Sequence, residues 1–358
     1  MAVKYRILIL GASYGSLLAT KLALAGHDAT MVCRPEEADA FNRDGAIVRM
    51  PIKGRDGLVE INSKGLPGKL SGITPEQASL AGVDLVVLGM QEPQYGSPGV
   101  RELLAAIAAA KLPCMSIMNM PPLPYLARIP GVSLAACRAC YTEPAVWDGF
   151  DPNCMTLCSP DPQAFRPPEE TINVLQVRLP TNFKSARFVS DAHTAILKQL
   201  EADIDAVRFP VDGDDGNSVI ELPVKLKVHE SVFVPLAKWS MLLAGNYRCV
   251  QADGARPIKD AVHSDLALSR KVYEWVADLC VSLGANPADL VPFDKYANAA
   301  LGLGNPSSAA RALFAGAKNI ERVDRLVQAI AKQKGRQSAE VDAIVALVDA
   351  RLQLNRAA

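Results

Sequence analysis

Gly11 and Gly15 bracket a short loop, GASYGS over residues 11–16, between an apolar run (5–10, YRILIL) and a Leu/Ala-rich stretch (17–25). Glycines at a strand-to-helix turn let backbone N–H groups and the positive helix end face a pyrophosphate with no Cβ in the way. Gly11, Ala12, Ser13, Tyr14 and Gly15 are therefore candidates for holding a dinucleotide, although the loop lacks a middle glycine and is one residue short of G-x-G-x-x-G. The same letters spell G-x-S-x-G, the nucleophile elbow of an α/β hydrolase, with Ser13 as nucleophile. Such an elbow needs several preceding strands to build the sheet and the oxyanion hole. Only ten residues precede this loop, which favours the dinucleotide.

Two further groups have chemistry-bearing spacing. Cys137-x2-Cys140 and Cys154-x3-Cys158 could supply a tetrahedral zinc site. However, 135–141 and 155–158 look like strand fragments in which small thiols simply pack, so no metal is expected. A redox CxxC should open a helix after a strand, and this one does not. The four histidines, His27, His193, His229 and His263, show no ligand spacing. His193 or His229 is the candidate acid if the chain is an opine-type or hydroxyacid dehydrogenase.

The elements that must position these residues alternate in type. The apolar run 5–10 has the length and uniformity of a strand buried on both faces, and Gly26 suits a helix C-terminus. Residues 28–33 (DATMVC) complete a βαβ unit. Arg34 then stands where an acidic residue would hold the ribose of NAD, and an arginine there suits the 2′-phosphate of NADP. Strands at 83–90 and 114–118 flank a helix over 100–111, predicting an α/β fold with a doubly wound parallel sheet that binds ligand beyond the carboxyl ends of its strands. Residues 132–228 show short strand-like pieces, several prolines and a turn-rich stretch over 211–217. From 229 the pattern becomes all α, with helices expected at 229–250, 264–283, 307–315, 319–334 and 338–353. The expected division is a dinucleotide-binding domain over 1–228, with an enlarged middle segment at 132–228, and a helical substrate and dimerisation domain over 229–358.

The 38 Lys plus Arg residues balance 38 Asp plus Glu, so no net field draws the 358-residue chain to nucleic acid or an anionic membrane. A small-molecule substrate is the expected partner. There is no apolar run of ~18 residues and no cationic leader ahead of an apolar one. The eight cysteines, several inside apolar segments, suit reduced thiols, and the cytoplasm is the expected compartment.

Taken in order, ILILGASYGSLLATKLALAGHDATMVCR, VDLVVLGMQEPQY, SIMNM and PLAKWSMLLAGN resemble the ketopantoate reductase family, NADPH-dependent reductases of 2-oxo acids. The resemblance implies NADP(H) as cofactor, a homodimer, and a substrate lying between the two domains. It implies Lys238 as the catalytic proton donor, with Asn119 contacting cofactor and lysine and Asn246 contacting substrate two turns beyond Lys238. It also implies Ser307 and Ser308 in the substrate-binding serine segment. The chain departs from the family at Gln91 (a lysine there), at Leu242 (an asparagine) and at Met120-Pro121-Pro122. The family's substrate-contacting glutamate falls on Asn319, with Glu321 two residues on. On one helix these two would face about 200° apart, so they cannot both serve. A divergent reductase of a 2-oxo acid or related oxo compound other than ketopantoate is therefore expected, with a non-catalytic dinucleotide sensor as the alternative.

Overall fold

A computed structural model of the chain describes residues 3–211 and 219–358, so the turn-rich stretch at 211–217 lies outside the described residues apart from Val211. Two compact units are present. One comprises Met1–Met90, Ser97–Met118 and Gly149–Glu230, the other Gln91–Gly96, Asn119–Asp148 and Ser231–Ala358. No helix among the described residues is long and apolar enough to cross a membrane.

The strands all belong to the first unit. They are β1 (Arg6–Leu10), β2 (Asp28–Val32), β3 (Ile47–Pro51), β4 (Leu58–Asn62), β5 (Leu70–Ile73), β6 (Leu85–Leu88) and β7 (Cys114–Ile117). After them come β8 (Met155–Ser159), β9 (Gln163–Phe165), β10 (Val174–Leu179), β11 (Phe183–Ala186), β12 (Phe209–Pro210), β13 (Val219–Ile220) and β14 (Leu226–His229). Six strands form a parallel array in the order β5-β2-β1-β6-β7-β8, the 3-2-1-4-5-6 arrangement of a doubly wound dinucleotide-binding sheet. Ile7, Leu8, Ile9 and Leu10 are each at most 2% exposed, as a central strand covered on both faces requires.

The middle segment extends this sheet. β11 pairs antiparallel to β8, and β14 pairs parallel to β11 across a connection that contains the Asp191–Ala206 helix. A second sheet, β4-β3-β10-β9, joins the β3–β4 hairpin to the middle segment through the parallel pair β3 and β10.

The order of the strands reverses between β1 and β6, and Gly11 lies at that point. Gly11 has φ +104°, and a Cβ on it would lie 2.7 Å from Met90 Cγ and 2.8 Å from the Gly89 carbonyl oxygen. Only a glycine lets these two chain segments approach so closely. The Ser13–Leu24 helix starts immediately, with Ala12 as an N-cap that offers no side-chain bond and no acidic residue in the first turn. Its leading N–H groups have no intrahelical partner. Ser13 is thus the first helical residue, and the positive-φ non-glycines among the described residues are Lys111 and Val224. The strained nucleophile conformation of a hydrolase elbow is absent at Ser13.

The second unit is helical, and besides two helices that were not expected, Ile258–His263 and Phe293–Ala300, it differs from expectation in three places. His229 pairs within β14 and the following helical run begins only at Pro235, so no helix covers 229–234. The last-but-one helix is Val323–Gln333, which leaves Asn319 and Glu321 in irregular chain ahead of it. Residues 134–140 are helical turns (Leu134–Cys137 and Arg138–Cys140), not strand.

Gly11→Ala is expected to destabilise the protein by about 3 kcal/mol or more, combining positive-φ strain with overlap. Gly26→Ala is the comparison, because Gly26 has φ +90° but nothing within 4 Å of a Cβ, so only the strain of about 1 kcal/mol applies. Urea unfolding of both variants measures the difference, and equal losses would contradict the close approach at Gly11.

Candidate active site

Residues 235–249 of the second unit are helical throughout but change type, from a 3-10 turn (Pro235–Ala237) to an α turn (Lys238–Met241), a π turn (Leu242–Asn246) and a second 3-10 turn (Tyr247–Cys249). An α turn takes about 3.6 residues and a π turn, closed by i→i+5 bonds, about one more. The eight residues from Lys238 to Asn246 therefore make about two whole turns, and both residues lie on one side of the run.

The π turn has a visible cause. A Cβ on Gly245 would lie 2.0 Å from Tyr296 Oη, and the hydroxyl occupies that space to donate to the Met241 carbonyl at 3.1 Å. Side chains serve the other carbonyls of the loosened ladder. Arg248 donates to Ala244 O (3.3 Å), Cys249 Sγ to Gly245 O (3.5 Å) and Ser307 Oγ to Asn246 O (2.7 Å). Ser307 also accepts from Ala310 N–H as the N-cap of the Ser308–Phe314 helix, so its hydroxyl is committed to backbone at both ends. Ser308 is exposed.

Glu321 is the focus of a second cluster in the same unit. Its carboxylate accepts from Asn119 Nδ2 (3.3 Å) and from the backbone N–H of Glu92 (3.4 Å). Tyr247 fixes its backbone, donating to Glu321 O (2.5 Å) and accepting from Val323 N–H (3.0 Å). Tyr247 therefore holds the irregular turn that precedes the Val323–Gln333 helix. The adjacent Arg322 is committed to Asp324 and Asp349. Glu92, 1% exposed, is itself anchored by Thr142, whose N–H and Oγ1 each donate to its carboxylate at 2.9 Å.

Desolvation is the largest influence on Glu321 and raises its pKa to about 7; the Asn119 and Glu92 bonds oppose this, the Glu92 charge adds to it, and Lys238 pulls back down. Burial likewise raises the acid of Glu92, against the Thr142 bonds. Asn119 Oδ1 is buried with no hydrogen-bond partner among the described residues, so an acceptor is left unpaired on the amide whose Nδ2 meets Glu321. Asn319 is elsewhere, exposed, with Oδ1 accepting from Arg356 at 2.9 Å. The helical-wheel opposition of Asn319 and Glu321 does not apply, because neither is on a helix.

Gln91, where the family has a lysine, is exposed and its N–H donates to Gln94 Oε1. Arg34 caps the Pro35–Asp44 helix at the end of β2 and pairs with Glu36 (3.1 Å) and Glu37 (3.3 Å). At the Gly11–Gly15 loop the space beside Gly11 is taken by Met90 and Gly89, and what suits a pyrophosphate is the helix start, whose N-cap Ala12 offers no side-chain bond and whose first turn holds no acidic residue. His193 lies edge-on to Phe188 and His229 lies in β14, both in the first unit. No group of three His, Cys, Asp or Glu among the described residues is placed to hold a metal. Cys137 accepts from Gln333, and burial pushes the Cys140 thiol up to about 12, far from a reactive thiolate.

Glu92, Thr142 and Tyr247 were not picked out by sequence. Glu92 directly follows Gln91 in the same motif, and only the fold shows that both its amide and its charge act on Glu321. A carboxyl whose folded pKa lies near 7 against an ordinary value near 4.5 destabilises the folded state once ionised. Wild-type stability should therefore fall, relative to Glu321→Gln, by on the order of 2–3 kcal/mol as pH rises from about 4.5 to about 7. Infrared spectroscopy should show a protonated carboxyl band titrating near pH 7 that Glu321→Gln lacks, and a band gone by pH 5 would contradict the desolvated site.

No protein-family model and no curated protein matches the sequence. Solved structures do match over nearly the whole chain. A candidate ketopantoate reductase from Ralstonia solanacearum MolK2 superposes with a TM-score of 0.68 at 16% identity, covering 98% of this chain and 99% of that one. A 2-dehydropantoate 2-reductase from Methylococcus capsulatus gives 0.64 at 12%, covering 98% and 97%. D-mandelate dehydrogenase, in a ternary structure with NADH and anilino(oxo)acetate, gives 0.63 at 12%, covering 98% and 99%. The chain thus has an N-terminal doubly wound α/β sheet followed by helices, the fold that ketopantoate reductases share with D-mandelate dehydrogenase.

Proposed function

We propose that the protein is an NADP(H)-dependent reductase of a small 2-oxo acid or related oxo compound. The observation that carries this is the cluster of Glu321, Asn119 and Lys238 in the helical unit, a desolvated carboxyl near neutral pKa beside an unpartnered amide oxygen and within the field of an ammonium. Residues Gly11–Gly15 of the first unit would hold the pyrophosphate, with Arg34 toward the adenosine end. Once bound, the reduced nicotinamide would supply hydride to the substrate carbonyl carbon.

The chain's own residues manage the charge that reduction creates. Lys238 would stabilise and protonate the carbonyl oxygen, a task suited to a cation in a site partly shielded from water. Asn119 holds Glu321 through its amide, and its free oxygen would orient the Lys238 ammonium or a substrate donor. Glu321, able to hold or release a proton near pH 7, would bind a hydroxyl on the substrate. Asn246 would meet the substrate on the same side of the helical run as Lys238. Ser307 has a different task, keeping Asn246 in place through its carbonyl. The D-mandelate dehydrogenase complex, with NADH and an oxo acid derivative on the same fold, supports a 2-oxo acid as substrate class. Leu242, Gln91 and Met120-Pro121-Pro122 support a substrate other than ketopantoate.

Purified protein mixed with NADPH and a panel of 2-oxo acids is expected to oxidise the cofactor with at least one member, and Lys238→Ala to lower kcat/KM about 10²–10⁴-fold with NADPH fluorescence binding unchanged. Binding without turnover across the panel would point instead to a dinucleotide sensor. No binding at all would overturn the proposal.

A further inference from the structure

The end of β2 carries more charge than Arg34 alone. Glu37, 6% exposed, lies one turn into the Pro35–Asp44 helix, and its carboxylate is held from two directions. Oε2 accepts from Arg34 N–H (3.1 Å) and Nε (3.3 Å), while Oε1 accepts from Nη1 of Arg166. Arg166 comes from the middle segment, immediately after β9, and its side chain is 25% exposed. Glu36 also pairs with Arg34, but that carboxylate is 55% exposed and open to screening. Burial pushes the nearby Cys33 thiol up to about 12, so it adds no charge. Two guanidinium groups, Arg166 half-buried and Arg34 with its side chain 63% exposed, therefore face one buried carboxylate.

The state of that carboxylate decides which ribose the site can accept. Desolvation disfavours a charge on Glu37, but hydrogen bonds from Arg166 and Arg34 outweigh it and hold the acid below the usual carboxylate range. An unphosphorylated adenosine ribose is recognised at this place in the fold by a carboxylate that accepts from its hydroxyls, whereas a 2′-phosphate is recognised by arginine. Glu37 already accepts from three N–H groups, so it has little left to offer a ribose hydroxyl.

We infer that Arg166 is a specificity-determining residue for the dinucleotide. With Arg34 it makes the seat for a 2′-phosphate, and by occupying Glu37 it withholds the acceptor that an unphosphorylated ribose needs. This rests on the dinucleotide assignment proposed above, and it gives the middle segment a task at the cofactor.

The experiment is fluorescence titration of NADPH and NADH against wild type, Arg166→Gln and Arg34→Gln. Wild type is expected to bind NADPH more tightly. Arg166→Gln should weaken NADPH about tenfold or more while NADH binding holds or tightens, since Glu37 is then released. Retained NADH binding shows that the variant is folded. Wild-type NADPH affinity should also fall more steeply with salt than NADH affinity, a readout that needs no variant. An unchanged NADPH-to-NADH ratio in Arg166→Gln, equal salt slopes, or a wild-type preference for NADH would each overturn the inference. Failure of wild type to bind either dinucleotide would instead remove the dinucleotide assignment itself.

Discussion

A carboxylate withdrawn from water must be met by donors or give up its charge, and the helical unit is arranged around one that is met only in part. Glu321 receives one amide from Asn119 and one backbone N–H from Glu92, both at long hydrogen-bond distance. Neutral donors of this kind do not repay full desolvation, which is why its acid sits near pH 7. Two strong pairs would have pinned the charge. Arg322 is next in sequence and does form such pairs, but with Asp324 and Asp349. The turn held by Tyr247 separates these two environments within two residues.

The helical run 235–249 obeys the same need for satisfied polar groups. A π turn frees backbone carbonyls, and each one released into a buried region needs a donor. Tyr296, Arg248, Cys249 and Ser307 provide them. The consequence is positional, because the wider turn is what brings Asn246 round to the side of Lys238. Tyr296 and Ser307 therefore shape this surface through the backbone alone.

Much of the first unit was legible from its letters. Apolar runs such as 5–10 and 83–90 read as strands buried on both faces, and the glycine that follows the first marks the turn. β11 and β14 were hidden because they are short, carry lysines and a histidine, and depend on partners far along the chain. The helix expected at 229–250 started too early because Val232, Phe233 and Leu236 continue a helical spacing through residues that Pro235 keeps from joining the run. Asn319 and Glu321 were set against each other by counting along one helix. The placement of Glu321 depends on a tyrosine hydroxyl more than seventy residues away, which no local spacing encodes.

Glu37 and Glu321 show how one residue type is given opposite properties by its donors. Glu37 is buried and Glu321 half-buried, and each accepts from a side chain distant in sequence. The partners of Glu37 are two guanidinium groups, which hold the acid down and keep it ionised as a counter-ion that orients them. The partners of Glu321 are neutral, so its proton stays exchangeable near neutrality. A permanently charged carboxylate suits a place that fixes arginines for a phosphate, and an exchangeable one suits a place where a carbonyl gains a proton. On the proposed function, the distribution of arginine and amide partners between the two units would be a physical division of labour between holding a cofactor and handling a proton.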